Sequence, residues 1–205
     1  MAIVTGVRRY RGIISLSADG MELARIREKD FALQPLEEGD AFDEDEYLDR
    51  IAAAQMKDAC NAALTLLEAS EKTKAELKKT LLRKGFVEAA AQAAVDMAAE
   101  YRFVDDKRFA KRTAEISRSK PVGVYALKRK LRAKGISEED ADEALSALDE
   151  DQQRDACKRL YEKIAYKYED LPAREARAKA SQALARRGFS WDVISSVLGD
   201  AFDEW

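Results

Sequence analysis

The chain has 205 residues, 46% of them hydrophobic and 37% charged, with a net charge of −3. It contains no histidine, which excludes histidine-dependent triads and histidine metal sites, and no Gly-x-x-x-x-Gly-Lys loop, which excludes a P-loop nucleotidase. No apolar run approaches the roughly 18 residues needed to span a membrane, and no secretory signal is expected at the N-terminus.

The front is β-rich. Residues 3 to 28 favour Val, Ile, Tyr and Arg, and the Asp19-Gly20 pair between two such runs is a hairpin signal. Strands are expected near 3–9, 11–17 and 21–27, followed by a loop to about residue 42. A sheet this small is marginal alone, so it should dock on the first helical unit. From Asp43 to Met56 the chain reads as a helix with an acidic start. The expected organisation is a β-rich element at 1–42, a linking helix at 43–57, and helical repeats at 58–101, 102–150 and 151–205. The front is expected to be separable, its deletion sparing the helices.

The repeats share one pattern. Around Gly85, Gly135 and Gly188 an apolar residue sits eight before the glycine (Leu77, Leu127, Ala180) and a leucine four before (Leu81, Leu131, Leu184). A large hydrophobe comes at once after it: Phe86, Ile136 or Phe189. Residues spaced i and i+4 lie on one helical face, and a left-handed glycine ends the helix so that the next hydrophobe folds back onto its last turn. A second helix then starts. Ser137 and Ser190 are candidate N-caps, whereas Val87 cannot accept the amide bonds. Phe189 and Ile194 are placed as a hydrophobic staple, as are Val104 and Phe109 after the Asp105 cap. A first helix precedes each pair, at about 58–68, 106–118 and 151–166. The predicted class is therefore mainly α: tandem three-helix repeats in an elongated curved array, with a small N-terminal three-stranded element. Cys60 and Cys157 fall in corresponding first helices and read as buried small hydrophobes in a reducing cytoplasm.

Charge is uneven. Residues 1–56 hold 7 basic and 12 acidic residues. Residues 107–134 hold eleven cations, Lys107, Arg108, Lys111, Arg112, Arg118, Lys120, Lys128, Arg129, Lys130, Arg132 and Lys134, against the single acid Glu115. Such a field attracts phosphates or an acidic protein groove, and these eleven residues are the candidate binding surface. The competing reading is a solvated helix face. A major-groove helix-turn-helix is excluded, because its recognition helix would begin Ser137-Glu138-Glu139-Asp140 and be repelled by phosphates. Tyr101, Phe103, Phe109 and Tyr125 accompany the cations; such rings can stack on bases, but helical spacing assigns them to the core.

The stretch Tyr101-Arg-Phe-Val-Asp-Asp-Lys-Arg-Phe109-Ala-Lys-Arg112, followed by Ser117-Arg-Ser119 and by Leu127-x3-Leu131-x3-Gly135-Ile136, resembles the central signature of the RecX family, bacterial regulators of the RecA recombinase. The resemblance covers about residues 58 to 200, and the β-rich front resembles an extension that some members carry. It implies tandem three-helix repeats and a non-enzymatic, cytoplasmic, monomeric protein without cofactors. It also implies a partner, the RecA filament on single-stranded DNA, whose growth, ATP hydrolysis, strand exchange and stimulated repressor cleavage it would inhibit. Two alternatives stand beside it: a direct single-stranded nucleic-acid-binding protein, and a helical adaptor that touches no nucleic acid.

Overall fold

Two tight turns build the front of the molecule. In this computed structural model, which describes residues 1–203 and side chains through Ala201, strands β1 (Ala2–Tyr10), β2 (Ile13–Ala18) and β3 (Met21–Arg27) are joined by Arg11-Gly12 and Asp19-Gly20. All four turn residues have positive φ, between 49° and 84°. Positive φ at both central positions is the hairpin turn whose twist matches its strands. The second turn was expected. The first was not, because arginine rarely takes this conformation. The fourth strand, β4 (Ala41–Phe42), was also missed. It pairs antiparallel with Ala2 and Ile3, so the sheet order is β3-β2-β1-β4.

After a single turn, α1 (Glu28–Phe31), and β4 comes α2 (Glu44–Ala69), 26 residues without a break. The linking helix and the first helix of the first repeat are thus continuous. No Gly or Pro lies between residues 43 and 69, so nothing in the chain interrupts it. Helices α3 (Lys74–Arg83) and α4 (Glu88–Glu100) complete the first repeat. The second comprises α5 (Asp106–Ser117), α6 (Val124–Ala133) and α7 (Glu138–Leu145). The third comprises α8 (Glu150–Ala165), α9 (Ala173–Arg186) and α10 (Trp191–Asp203). Residues 204 and 205, assigned to the third repeat from sequence, lie outside the described residues. The chain divides into two compact units, Met1–Asp105 and Asp106–Trp205.

The three glycine corners are alike. Gly85, Gly135 and Gly188 have φ of +83°, +78° and +83°. The hydrophobe after each donates its N–H to the carbonyl of the leucine four before the glycine, at 3.2, 3.1 and 3.4 Å. The glycine N–H meets the next carbonyl along, that of Leu82, Arg132 or Ala185. These paired bonds satisfy the orphan carbonyls at a helix end. Ser137 caps α7 through the Asp140 N–H at 3.1 Å, Ser190 accepts from the Val193 N–H at 3.3 Å, and Val87 makes no side-chain cap, as expected. Phe189 and Ile194 share one core cluster. Val104 packs in the core of the first unit, and Phe109 packs against that of the second.

In the first unit, sheet and helices share one core. Val4, Ile14, Leu16 and Ile26 from the sheet pack in the same cluster as Ile51, Leu81 and Phe86 from the helices. The Gly85 corner is tied directly to the sheet, its carbonyl accepting the Arg27 N–H at 3.1 Å. The Arg27 guanidinium lies 4.2 Å from the Phe86 ring centre and pairs with buried Asp30 and with Asp58. Gln55, wholly buried on α2, completes the joint: its amide donates to Asp30 (2.7 Å) and Gly85 O (2.9 Å), and its oxygen accepts from the Val87 N–H (2.8 Å). The uncapped start of α4 is therefore served by a glutamine from another helix. The front is not a separable accessory, because removing residues 1–42 strips the cover from Ile51 and Phe86 and leaves Gln55 without Asp30.

The second unit uses a related joint. Tyr125 donates its N–H to Gly188 O at 3.0 Å, and Gly123 donates to Arg187 O at 3.0 Å. Gly123 has an ordinary φ, yet a Cβ there would overlap the Gly188 carbonyl, so close approach demands the glycine. Both cysteines are free; Cys157 is buried and Cys60 half-buried. Burial pushes the Cys157 thiol up to about 12, an inert core residue.

Two substitutions test these joints. Gln55→Ala should destabilise the first unit by about 2–4 kcal/mol in denaturant unfolding, since it orphans the buried Val87 N–H and removes three hydrogen bonds. Gly123→Ala should cost more than about 2 kcal/mol and lower the melting of the second unit, because backbone rather than a movable side chain meets the new methyl.

Candidate binding surface

Every one of the eleven predicted cations lies in the second unit, and the structure divides them into two groups. Helix α7, which opens on Glu138, Glu139 and Asp140, lies across α5 and α6 with Ala141, Ala144 and Leu145 in the shared core. Its two flanks carry carboxylates. Toward α5, Asp140 and Glu143 meet Lys107 at 3.5 and 3.4 Å, and Glu143 meets Lys111 at 2.9 Å. Toward α6, Glu138 and Asp142 meet Lys128 at 2.9 and 2.8 Å, and Glu138 meets Arg132 at 3.7 Å. Cations at i and i+4 on α5 and on α6 thus face acids spaced along α7.

This pairing changes the charge balance. Extending the basic stretch through α7, residues 107–145 carry eleven basic and six acidic residues, a net of +5. The rows were detectable in sequence: Lys107/Lys111 and Lys128/Arg132 are i,i+4 pairs, and Glu138/Asp142 is another, one glycine corner away from α6. Lys107, Lys111, Lys128 and Arg132 therefore also hold three helices in register.

Arg129, Lys130, Lys120 and Arg118 lie outside those rows. Arg129 and Lys130 are exposed on α6, and Lys120 is exposed in the joint before it. Arg118 is exposed and donates to the Ala147 carbonyl at 3.5 Å. Arg108 and Arg112 are exposed on α5. Lys134 lies 5.2 Å from the centre of the Phe109 ring, its ammonium over the π face.

The aromatic residues correct the sequence reading. Phe109 is half-buried against the core as expected, but Tyr101, Phe103 and Tyr125 are 66%, 52% and 60% exposed. Tyr125 lies four residues before Arg129 on α6, so ring and guanidinium occupy one outward face. In the first unit Tyr101 and Phe103 stack with centres 6.2 Å apart, around Arg102 at φ +57°. Arg102 ends α4 as the glycines end the other helices, with Phe103 donating its N–H to Ala98 O at 2.8 Å. Helical spacing suggested burial; the helix ends before the ring of Phe103 could turn inward with it.

Comparison with known proteins settles the family. Residues 59–96, 105–145 and 150–198 match the models of the first, second and third three-helix domains of RecX. The chain is 34% identical over 143 residues to the regulatory protein RecX of Chlorobaculum tepidum, spanning 68% of this chain and 86% of that one. The chain belongs to the RecX family. It is 36% identical to the regulatory protein RecX of Clostridium tetani, over 66% of this chain and 63% of that protein. Against the RecX of Bacillus subtilis it is 31% identical, over 80% of this chain and 62% of that protein. The chain thus spans less than two thirds of the length of those two relatives. A crystal structure of a regulatory protein RecX shares the fold at a TM-score of 0.68 and 23% identity, over 98% of this chain and 100% of that one. That of RecX from Lactobacillus salivarius gives the same TM-score at 25% identity, over 75% of this chain and 99% of that one. No helix among the described residues is long and apolar enough to cross a membrane.

The ion-pair rows carry a pH dependence. Glu138 and Glu143 are held below the usual carboxylate range, chiefly by hydrogen bonds from Lys128 and Lys111 respectively. Lys107 is raised by the charge of Glu143 and Lys128 by hydrogen bonding to Asp142. The depressed carboxylates contribute stability above their ordinary value, and lose it as pH falls through the folded one. The raised lysines contribute fully below their ordinary value, and lose it as pH rises through the folded one. Stability should therefore be flat near neutrality and fall below about pH 4.3. A Glu138→Gln, Glu143→Gln double variant should lose less stability than the parent on acidification, measured by denaturant midpoints.

Proposed function

We propose that this RecX-family protein is a non-enzymatic regulator of the RecA recombinase, acting in the bacterial cytoplasm as a monomer. It binds the RecA filament on single-stranded DNA and inhibits its ATPase, strand-exchange and coprotease activities. The observation that carries the reading is the outward basic face of α6, where Arg129 and Lys130 stand outside the α7 ion pairs and Tyr125 is exposed beside Arg129. Family membership supports the partner; the face supports the manner of contact. Guanidinium and ammonium groups recognise phosphates of the filament's DNA or carboxylates of RecA, and a ring beside them accepts a base or an apolar side chain.

Within the eleven-residue candidate surface, Arg129, Lys130, Lys120 and Arg118 form the contact group. Lys107, Lys111, Lys128 and Arg132 keep a structural share. Charge reversal at Lys128 would set a carboxylate against Glu138 and Asp142 and confuse loss of binding with loss of packing.

The test is titration of the protein into RecA ATPase on single-stranded DNA. The parent should suppress turnover. Arg129→Glu with Lys130→Glu should leave the melting temperature within about 2 °C and raise the concentration needed for half-inhibition at least about tenfold. A folded double variant that inhibits like the parent would assign these residues to a solvated face. A parent that inhibits nothing, yet binds bare single strands, would favour the direct nucleic-acid-binding alternative.

A further inference from the structure

The N-terminal segment carries more acid than base, yet one of its faces is basic. Eight of its twelve acids lie at residues 37–49, flanking β4 at one edge of the sheet. Arg8 and Arg25 stand on the outer face of the sheet, away from β4, and Arg11 at the turn beside it. Arg8, Ser15 and Arg25 are register partners on β1, β2 and β3, forming one row across three strands. Adjacent strands are about 4.8 Å apart, so the two arginines of the row are about 10 Å apart at the backbone. Arg83, at the last turn of α3, comes round the β3 edge to join them. Together with Tyr10, Arg11, Ile13 and Glu22 these residues line a concavity of about 590 Å³. Four of its eight lining residues are arginines and one is an acid. That acid, Glu22, is held by Arg25 at 3.1 Å and by the Ser15 hydroxyl at 2.8 Å, and lies below the usual carboxylate range.

A second observation points the same way. Arg11 occupies a left-handed turn position where Asn, Asp or Gly is favoured, at φ +49°. Its guanidinium lies 5.1 Å from the centre of the Tyr10 ring, and that ring is 69% exposed. The turn accepts local strain and presents a cation over an open aromatic face. Arginines offer forked donors that suit phosphate oxygens, and an exposed ring offers a surface on which any base stacks. A glutamate-rich peptide would use the guanidinium groups but not the ring.

We propose that this outer sheet face is a second contact site, for the phosphodiester backbone and bases of a short stretch of single-stranded nucleic acid. Arg8, Arg11 and Arg83 bind phosphates and Tyr10 stacks on a base. The proposal is independent of RecA inhibition through α6, since it concerns bare strands and residues of the first unit only.

The test uses the full chain and a fluorescent oligothymidylate of about twelve nucleotides, read by anisotropy across a salt series. Arg8→Glu, Arg11→Asn and Arg83→Glu together, with Asn chosen to keep the turn, should weaken binding at least about tenfold. They should also flatten the log–log salt slope by about 2, at roughly 0.7 per lost phosphate contact on a single strand. Tyr10→Ala should weaken oligothymidylate binding about tenfold while leaving an abasic oligomer of equal length unaffected. Should the triple variant misfold, Arg83→Ala, at an exposed helix position, gives the same comparison alone. Binding of the triple variant, or of folded Arg83→Ala, at parental affinity overturns the site. So does equal loss on abasic and base-bearing strands in Tyr10→Ala, or a polyglutamate peptide that binds the parent as tightly as oligothymidylate and loses that binding in the triple variant. The Arg129→Glu, Lys130→Glu variant, run in parallel, reports on α6 separately.

Discussion

The left-handed glycine corner is the constraint on which the rest depends. It ends α3, α6 and α9 with the same pair of hydrogen bonds and turns the next hydrophobe onto the last helical turn. It also leaves a bare backbone, with no Cβ to hold neighbours off. Gly85 and Gly188 use that bareness in the same way: each carbonyl accepts a backbone N–H from an element earlier in the chain, Arg27 at the sheet and Tyr125 on α6. One local device thus stops a helix and docks a module. A side chain at either corner would oppose both jobs, through the positive φ and through the backbone it would meet.

The corner also explains where the charges fall. It sets α7 immediately beside α6, so the acids that suit the positive N-terminus of α7 come within reach of the lysines on the helices before it. The same carboxylates therefore serve the helix dipole and the ion-pair rows. Exposed pairs of this kind contribute little individually, and their greater consequence is orientation. By occupying the inward-leaning cations they leave those aimed away from α7 as the part of the field that a partner can meet.

The three-helix repeats were readable because their signals are local and periodic: an i,i+4 stripe, a glycine, a hydrophobe, a serine cap. The features that escaped had partners far away in the chain. Gln55 reads as a solvated residue of an amphipathic helix, yet its partners Gly85 and Val87 lie about thirty residues on. The two-residue strand β4 carries no periodicity of its own and exists because Ala2 and Ile3 accept it. The expected division of α2 into a linking helix and a first repeat helix has no breaker residue behind it, and the helix runs through. Tyr101, Phe103 and Tyr125 fit a core by spacing, but spacing cannot distinguish an inward face from an outward one where hydrophobes are few. Among the eleven candidate cations, identity was read and pairing was missed: the i,i+4 spacings were there to see, but the basic stretch stops at Lys134, four residues before the first acid of α7.

The N-terminal sheet shows the same lesson in charge. A segment's net charge describes its composition, whereas a partner meets a face. Folding sends the acids at 37–49 to the β4 edge and brings Arg8 and Arg25 into one row through strand register, an arrangement that a sum over residues erases. It then adds Arg83 from a helix that the sum over residues 1–56 never included. The residue that best separates the two descriptions is Arg11. In composition it is one cation among seven; in the fold it is the side chain for which a hairpin gives up its preferred turn residue. A position that breaks a local rule without serving the core is where a sequence is shaped by something outside it.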